Sequence, residues 1–305
     1  MRFVVTGAAG FIGSHLAEEL GARGHDVVGI DCLTDYYDPA EKEENARAVE
    51  LERLDLAEDE LDFRGFDGVF HLAGQPGVRS FGDVFPLYVR RNLLATERVF
   101  AAAVEARARV ILASSSSVYG DAAAYPTPED TPPLPISPYG ITKLACEHLA
   151  RAHATGFGLD ALVLRYFTVY GPRQRPDMFV RRVVDALASG EPFEVYGDGS
   201  QSHSFTYVSD AVEATIAAME RAASGAVYNV GGGDDATIRE AIELLERIAG
   251  RSLDVRYREA AKGDVHRTKA DTTRIRTELG WAPTVALADG LRAQWEWASG
   301  RVAAR

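Results

Sequence analysis

Cysteine is scarce in this chain of 305 residues, which contains only Cys32 and Cys146. Two cysteines are too few for a disulfide framework or a metal cluster, so we expect no metal site. Long hydrophobic runs are also missing, since no apolar stretch approaches the roughly 20 residues that cross a bilayer. The N-terminus opens directly on an apolar segment, without the basic region that begins a signal peptide. These features predict a cytoplasmic protein with no membrane partner.

Basic residues are outnumbered by acidic ones, 33 Lys and Arg against 45 Asp and Glu, for a net charge of −12. This excess of negative charge argues against nucleic acid as a partner. An anionic ligand must therefore be bound by local donors, such as a helix N-terminus and a few arginines.

Apolar runs of strand length alternate with helical segments in the first half of the chain. The strand-like runs are residues 2–6, 26–30, 69–72, 110–113 and 162–166. This alternation predicts an α/β fold with a doubly wound parallel sheet, Rossmann-like, covered by helices on both faces. Residues 35–62 are acidic and polar, and we interpret them as a surface helix and loops.

The pattern changes after Gly171, where shorter and more polar elements follow. Residues 205–208 and 227–230 resemble strands that rejoin the large sheet. We therefore expect two interleaved parts. The first is a dinucleotide-binding domain of residues 1–168, rejoined by residues 204–232. The second is a smaller α/β substrate lobe built from residues 169–203 and 233–305.

A glycine-rich turn at Gly7, Gly10 and Gly13 follows the first strand and opens the first helix. In this setting the glycines allow a tight turn, close approach to a pyrophosphate and close helix–strand packing. Asp31 ends the second strand, where a carboxylate accepts hydrogen bonds from a ribose and repels a 2′-phosphate. The pattern predicts NAD rather than NADP, with a solvated turn aspartate as the alternative for Asp31.

Tyr139 and Lys143 are four residues apart and lie on one face of a predicted helix. A lysine ammonium near a phenol favours the phenolate, so such a tyrosine can exchange protons at neutral pH. A serine run at residues 114–117 precedes the pair. Beside a nicotinamide cofactor, these residues would oxidise a secondary alcohol. The tyrosine–lysine spacing alone also occurs often by chance.

Together these motifs resemble the extended short-chain dehydrogenase/reductases, specifically the NAD-dependent nucleotide-sugar epimerases and dehydratases. The resemblance runs from Gly7 to the region of Gly290. It implies that Ser115 hydrogen-bonds the reacting hydroxyl, that Tyr139 is the base and that Lys143 holds the ribose. The NAD-binding residues that we expect from the motifs and the resemblance are Gly7, Gly10, Phe11, Ile12, Gly13, Asp31, Asp35, Asp55, Leu56, Leu72, Ala73, Gly74, Asn92, Tyr139, Lys143 and Phe167.

Ser116 and Ser117 follow Ser115, at positions where the family's dehydratases and decarboxylases carry acidic residues. Because a serine is not a strong base at neutral pH, this favours an epimerase. Residues 31–38, 75–79 and 168–178 further resemble UDP-glucuronate 4-epimerases. Arg175 would pair with the sugar carboxylate, for which an arginine fork is suited. The alternatives for Arg175 are a surface charge or a diphosphate ligand.

The substrate-binding residues expected from the resemblance are Gly77, Val78, Arg79, Ser116, Ser117, Thr168, Arg175, Tyr196, His203 and Arg267. His203 and Ser204 stand where the family has Arg-Asp, so Arg267 or Lys262 would take over the diphosphate. The rival interpretations are a UDP-glucose/UDP-galactose or N-acetylhexosamine 4-epimerase, a dehydrogenase that releases NADH, and a non-catalytic NAD-binding protein. The resemblance also implies a homodimer formed through the helices at residues 92–106 and 143–154.

Overall fold

The computed structural model describes residues 1–77, 82–259 and 267–303. In chain order the strands are β1 (Arg2–Thr6), β2 (Asp26–Ile30), β3 (Glu50–Glu52), β4 (Gly68–His71), β5 (Arg109–Ser115), β6 (Ala161–Tyr166), β7 (Thr168–Tyr170), β8 (Phe193–Tyr196), β9 (Ser202–Tyr207), β10 (Val227–Val230), β11 (Asp235–Thr237), β12 (Val255–Arg258) and β13 (Arg267–Thr268). The helices are α1 (Phe11–Ala22), α2 (Pro39–Asn45), α3 (Phe85–Tyr88), α4 (Ala95–Ala106), α5 (Pro138–Phe157), α6 (Phe179–Ser189), α7 (Val208–Arg221), α8 (Ile238–Ala249), α9 (Thr273–Leu279) and α10 (Leu287–Ala303). A π-helical segment, Val89–Leu94, joins α3 to α4.

The main sheet has seven strands in the order β10-β6-β5-β4-β1-β2-β3, and every neighbouring pair is parallel. From the central β1–β4 pair, β2 and β3 follow on the side of β1, and β5, β6 and β10 follow on the side of β4. Connections on the two sides of that pair diverge, which opens a crevice at the carboxyl ends of the strands. The predicted fold class, a doubly wound parallel sheet, is confirmed.

Helices cover both faces of the main sheet, as a parallel sheet requires. On one face α1 and α7 bury residues such as Leu16, Leu20 and Ile216. On the other face α4 and α5 bury residues such as Phe100 and Cys146. The strands therefore have apolar residues on both sides, and β6 is buried along its whole length.

The segment at residues 35–62 contains a strand as well as the predicted surface helix. The helix is α2, but β3 also pairs with the edge of the main sheet beside β2. Its sequence, Glu-Leu-Glu, alternates one apolar residue with two exposed carboxylates. Such a short edge strand has no distinctive apolar pattern, so the prediction of loops at this point was wrong.

The smaller sheets lie in the second part of the chain. β9 pairs with β7, β11 and β13, and β8 pairs with β12. The apolar faces of α6, α8 and α10 form a common core over these sheets with residues such as Val183, Leu245 and Leu291.

Residues 205–208 do not join the main sheet, so this part of the sequence interpretation was wrong. They belong to β9 and the start of α7, and β9 buries Phe205 in the core of the smaller sheets. Its sequence, Ser-His-Ser-Phe-Thr-Tyr, mixes polar and aromatic residues, and Ser204, Phe205 and Thr206 are buried in succession, so the strand's own pattern does not indicate which sheet it joins. Residues 227–230 form β10 and do pair with β6 in the main sheet. The domain boundaries themselves stay a prediction.

The chain passes three times between the main sheet and the smaller sheets within the described residues. These passages follow β6, β9 and β10. None of the helices in the described ranges combines the length and apolarity needed to cross a membrane. Within the same ranges, no cluster of three or more His, Cys, Asp or Glu side chains is arranged to hold a metal ion.

Candidate active site

The turn between β1 and α1 has no room for a side chain at Gly7, nor does the start of α1 at Gly13. Gly7 has a φ of +73°, and a Cβ there would lie 2.8 Å from the backbone nitrogen of Ala73. A Cβ on Gly13 would lie 2.1 Å from the carbonyl oxygen of Gly7. Gly10, the N-cap of α1, offers no side chain to the first turn. The first N–H groups of the helix are therefore available to an anion, which the helix dipole also favours.

Asp31, at the end of β2, is tied to this glycine-rich turn. Its carboxylate accepts hydrogen bonds from the backbone N–H groups of Ala9, at 3.3 Å, and Leu33, at 2.9 Å. Burial raises the pKa of Asp31, and these hydrogen bonds oppose the rise. The carboxylate thus lies beside the turn, where an acceptor for ribose hydroxyls is needed.

Tyr139 and Lys143 lie on α5, which begins at Pro138 because Ser137 caps it by accepting a 3.1 Å hydrogen bond from the N–H of Gly140. The Lys143 ammonium donates to the carbonyl oxygen of Ala113 at 2.9 Å. The same nitrogen lies 5.9 Å from the centre of the Tyr139 ring. One helical turn thus brings the phenol and the ammonium together, as the spacing predicted.

Ser115 lies at the carboxyl end of β5. Its hydroxyl donates to the Ser117 hydroxyl at 3.1 Å and accepts from the Ser117 N–H, also at 3.1 Å. Ser115, Tyr139 and Lys143 all line one cavity of about 810 Å³. The structure therefore brings together the three residues that the sequence singled out for chemistry.

Most of the predicted cofactor residues line the same cavity. Those that do are Gly7, Gly10, Phe11, Ile12, Gly13, Asp31, Asp55, Leu56, Leu72, Ala73, Gly74, Tyr139, Lys143 and Phe167. Asn92 lies behind the wall, where its side-chain oxygen accepts a 2.7 Å hydrogen bond from the Gln75 N–H and its nitrogen donates to Thr142 at 3.0 Å. Asp35 is exposed and lies outside the cavity lining.

The predicted substrate residues are divided in the same way. Those in the cavity lining are Gly77, Ser116, Ser117, Thr168, Arg175, Tyr196 and His203. The Nδ1 atom of His203 lies 2.9 Å from the Thr268 hydroxyl, which also lines the cavity. Arg267 is exposed outside the lining, with its guanidinium 5.2 Å from the centre of the Tyr125 ring. Val78, Arg79 and Lys262 lie outside the described residues.

Arg175 is held by an acidic neighbour at the cavity wall. Its Nε atom lies 3.0 Å from Oδ1 of Asp177, and its Nη2 atom lies 3.3 Å from Oδ2. Burial disfavours the charged guanidinium, but the Asp177 carboxylate and nearby phenols offset this, so the pKa of Arg175 is raised. The residue is therefore a permanent cation facing the cavity.

Sequence reasoning assigned no role to several residues that line the cavity. Tyr36 and Tyr37 belong to a stretch noted only for its resemblance, and Lys42 lies on the acidic helix α2. The Lys42 ammonium donates to the Thr34 carbonyl at 2.5 Å and lies 4.5 Å from the centre of the Tyr37 ring. A lysine within a charged surface helix carries no local signal for such a position.

The residues present fit a dinucleotide. The glycines let the backbone of the turn pack closely without side chains, the uncapped start of α1 suits a diphosphate, and Asp31 suits a ribose. The cavity continues past Tyr139 to Arg175 and the smaller sheets, so it also has room for a second ligand.

Comparison with known proteins agrees with this arrangement. Residues 3–231 match the model of the NAD dependent epimerase/dehydratase family, and the chain belongs to that family. This confirms the resemblance found in the sequence. The uncharacterized UDP-glucose epimerase YtcB of Bacillus subtilis (strain 168) is 38% identical over 309 residues, covering 95% of this chain and 96% of that protein.

Two solved structures are similar over nearly the whole chain. The UDP-glucuronic acid 4-epimerase from Bacillus cereus, in complex with UDP-glucuronic acid and NAD, has a TM-score of 0.95 and 38% identity, covering 99% of this chain and 100% of that one. MoeE5 in complex with UDP-glucuronic acid and NAD has a TM-score of 0.89 and 42% identity, with the same coverage. MoeE5 also has a structure in complex with UDP-glucose and NAD.

Proposed function

We propose that this protein is an NAD-dependent UDP-sugar 4-epimerase that interconverts UDP-glucuronate and UDP-galacturonate. The observation that carries the proposal is one cavity lined by Ser115, Tyr139, Lys143 and Arg175. The first three suit the oxidation and reduction of a secondary alcohol, and the last suits a carboxylate. The relatives that act on or bind UDP-sugars support this assignment.

The cofactor would be held at the glycine-rich turn. The start of α1 would bind the diphosphate, Asp31 the adenosine ribose and Lys143 the second ribose. When bound, NAD supplies a reversible acceptor for the hydrogen on C4 of the sugar, together with its electron pair. The UDP-sugar would occupy the rest of the cavity, towards Arg175, Tyr196 and His203.

Tyr139 would take the proton from the 4-hydroxyl group. It would return the proton after the sugar ring has rotated to present its other face. The ammonium of Lys143 lies 5.9 Å from the centre of the Tyr139 ring, where its positive charge would attract the negative charge that develops on the phenol oxygen. The Ser115 hydroxyl, which bonds to Ser117 in the structure, can rotate to bond the 4-hydroxyl or the 4-keto oxygen instead. Return of the hydrogen to the opposite face of C4 gives the 4-epimer.

The carboxylate of a uronate creates a hazard at the 4-keto stage. A 4-ketone with a C6 carboxylate is a β-keto acid, and it loses CO₂ when the C5–C6 bond stands perpendicular to the carbonyl plane. The electrons of that bond then pass into an enolate. An epimerase must therefore restrain the carboxylate, and we assign this task to Arg175 with the hydroxyl groups of Thr168, Ser116 and Ser117.

Two substitutions test the proposal. Tyr139→Phe, with fold and bound cofactor verified, should lower turnover by about 10²-fold or more, the typical contribution of a positioned acid–base group. Near wild-type turnover would end the assignment of Tyr139. Arg175→Ala should lower kcat/KM for UDP-glucuronate and raise the release of CO₂ per epimer formed. Unchanged kinetics would remove Arg175 from this role.

A second candidate is UDP-glucose 4-epimerisation, because YtcB bears that description and MoeE5 binds UDP-glucose as well as UDP-glucuronic acid. A comparison of kcat/KM for UDP-glucose and UDP-glucuronate separates the two. A dehydrogenase would accumulate NADH on incubation with substrate, whereas an epimerase shows no net change in NADH absorbance. A non-catalytic NAD-binding protein would turn over neither sugar.

We also propose that the protein is a cytoplasmic homodimer. Exposed apolar side chains lie on the α3–α4 region (Phe85, Val89 and Leu94) and on the adjoining helix α5 (Ile141). A face of this kind is suited to a second copy of the same two helices. Light scattering of the purified protein tests the proposal. Val89→Glu with Ile141→Lys should give a monomer, while a monomeric wild-type protein would contradict it.

A further inference from the structure

The Arg175 guanidinium is held along one of its edges by a neighbouring carboxylate. Asp177 takes the edge formed by Nε and Nη2, through contacts of 3.0 and 3.3 Å. A guanidinium has a second edge, formed by Nη1 and Nη2, which can receive another carboxylate in parallel. The ion pair with Asp177 therefore orients Arg175 and leaves a donor pair for a ligand.

Asp177 is itself oriented from a distant part of the chain. The Tyr36 hydroxyl donates to Oδ2 of Asp177 at 3.1 Å, although the two residues are 141 positions apart. Partial burial and the Asp177 charge raise the pKa of Tyr36 to about 12, so the phenol remains a donor at neutral pH. All three side chains line the cavity.

The backbone that carries Arg175 is anchored as well. The Arg173 guanidinium binds Glu18 on α1 at 2.8 Å, and a ring nitrogen of His15 lies 3.0 Å from the carbonyl oxygen of Pro172. Since the backbone is tied to α1, the remaining freedom of Arg175 lies in its long side chain. An unrestrained arginine side chain loses rotamer freedom when it binds a ligand, so a partner that fixes it beforehand has a measurable effect.

We propose that Asp177 and Tyr36 are positioning residues that hold the free edge of Arg175 towards the sugar carboxylate and so determine specificity for a uronate. The inference rests on the proposed function, which makes Arg175 the carboxylate ligand. A fixed guanidinium keeps the C5–C6 bond of the 4-keto intermediate out of the orientation that releases CO₂ while the sugar ring rotates. A mobile guanidinium would bind the same carboxylate but restrain it less.

A positioning role and a purely electrostatic role predict different results when Asp177 and Tyr36 are substituted. Asp177 also repels a bound carboxylate, so a purely electrostatic role predicts tighter binding of UDP-glucuronate in Asp177→Asn, with no change in CO₂ release. Tyr36→Phe leaves every charge unchanged and removes only the hydrogen bond to Asp177. It therefore isolates the positioning effect.

The first experiment uses the NAD-loaded protein. Tyr36→Phe should lower kcat/KM for UDP-glucuronate by about tenfold, equivalent to loss of one hydrogen bond to a charged group. CO₂ released per epimer formed should rise, and Asp177→Asn should raise it further. The inhibition constant of UDP, which lacks the carboxylate, should change by less than about twofold. An unchanged CO₂-to-epimer ratio in both variants would overturn the inference.

Asp62→Asn is the matched control. Asp62 also pairs through Nε and Nη2 with an arginine two positions away, Arg64, but both side chains are exposed and outside the cavity lining. This variant should match the wild-type protein in kcat/KM and in CO₂ release. The NAD content of each purified variant should also be unchanged, which separates a sugar-site effect from a loss of cofactor.

A double-mutant cycle separates this inference from the proposed function. If Arg175→Ala alone leaves turnover and CO₂ release unchanged, the proposed role of Arg175 fails and this inference falls with it. If Arg175→Ala impairs the reaction, Tyr36→Phe should have no further effect in that background, within about twofold. Independent, multiplying effects would leave the proposed function intact but show that Tyr36 does not act through Arg175.

Discussion

The close packing of Gly13 against Gly7 predicts that a single added methyl group will disturb both folding and NAD binding, because that group would meet main-chain atoms. In Gly13→Ala the new Cβ would lie 2.1 Å from the carbonyl oxygen and 2.8 Å from the carbonyl carbon of Gly7. Non-bonded carbon atoms prefer about 3.5–4.0 Å, so the start of α1 must move away from the turn by roughly 1 Å. No flexible side chain can absorb that displacement.

Two effects should follow from this shift. Overpacking of this kind typically costs about 1–3 kcal/mol of folding free energy, and an obstacle made of backbone places Gly13→Ala at the upper end. The displaced N–H groups of α1 would no longer match the diphosphate, so NAD should bind about tenfold or more weakly, as expected for the loss of a hydrogen bond to a charged group. Urea unfolding measures the first effect. The NAD content of the purified protein and titration of the stripped protein measure the second.

Gly21 supplies the control on the same helix. A Cβ at Gly21 meets nothing within 4 Å, and the residue has ordinary helical backbone. Gly21→Ala should therefore stabilise the protein by about 0.5–1 kcal/mol without changing NAD binding, because alanine loses less backbone entropy than glycine on folding. Wild-type NAD affinity in Gly13→Ala, or a clear loss of stability in Gly21→Ala, would refute this reasoning.

Two further predictions concern buried ionisable groups. Burial, with a smaller contribution from the Lys143 charge, lowers the pKa of His71 from 6.5 to about 3. The folded state therefore keeps His71 neutral while the unfolded state takes up a proton below pH 6.5, so stability falls on acidification. Between pH 7 and pH 5 this costs about 2 kcal/mol, and His71→Gln should lose about that much less over the same interval in urea unfolding. Equal pH dependence in the two proteins would contradict it. Glu147 pairs with Arg165 through contacts of 3.0 and 2.7 Å, with both side chains under 10% exposed. Glu147→Gln should destabilise the protein by about 3–5 kcal/mol, because it leaves Arg165 buried without its counter-charge. A loss below about 1 kcal/mol, as expected for an exposed pair, would show that water reaches Arg165.

The sequence predicted the main sheet well because its strands are buried on both faces. A continuous apolar run such as residues 161–164, which open β6, indicates such a strand directly. β3 was missed because three residues with one leucine carry no periodic signal. β9 was misassigned because its mixed polar and aromatic sequence does not specify which sheet it joins. These errors arise where the tertiary neighbours, rather than the local sequence, decide which sheet a strand joins.

In the site, too, features set by residues close in sequence were predictable, and those set by contacts between distant segments were not. The glycine turn and the Tyr139–Lys143 pair were predictable because each depends on spacing within one turn or one helix. The positions of Lys42 and Tyr36 were not, since each depends on how a surface segment packs against elements far along the chain. The contact of Tyr36 with Asp177, across 141 residues, is the clearest case.

The path of the chain also bears on how the protein is synthesised and engineered. The edge strand β10 of the main sheet ends at Val230, after the chain has built β7, β8 and β9 elsewhere. A nascent chain that has left the ribosome only as far as β9 lacks both α7 and β10, so its largest sheet is still incomplete. For the same reason, a chimera that exchanges the part with the smaller sheets for that of a relative needs several splice points, because each single junction divides both parts.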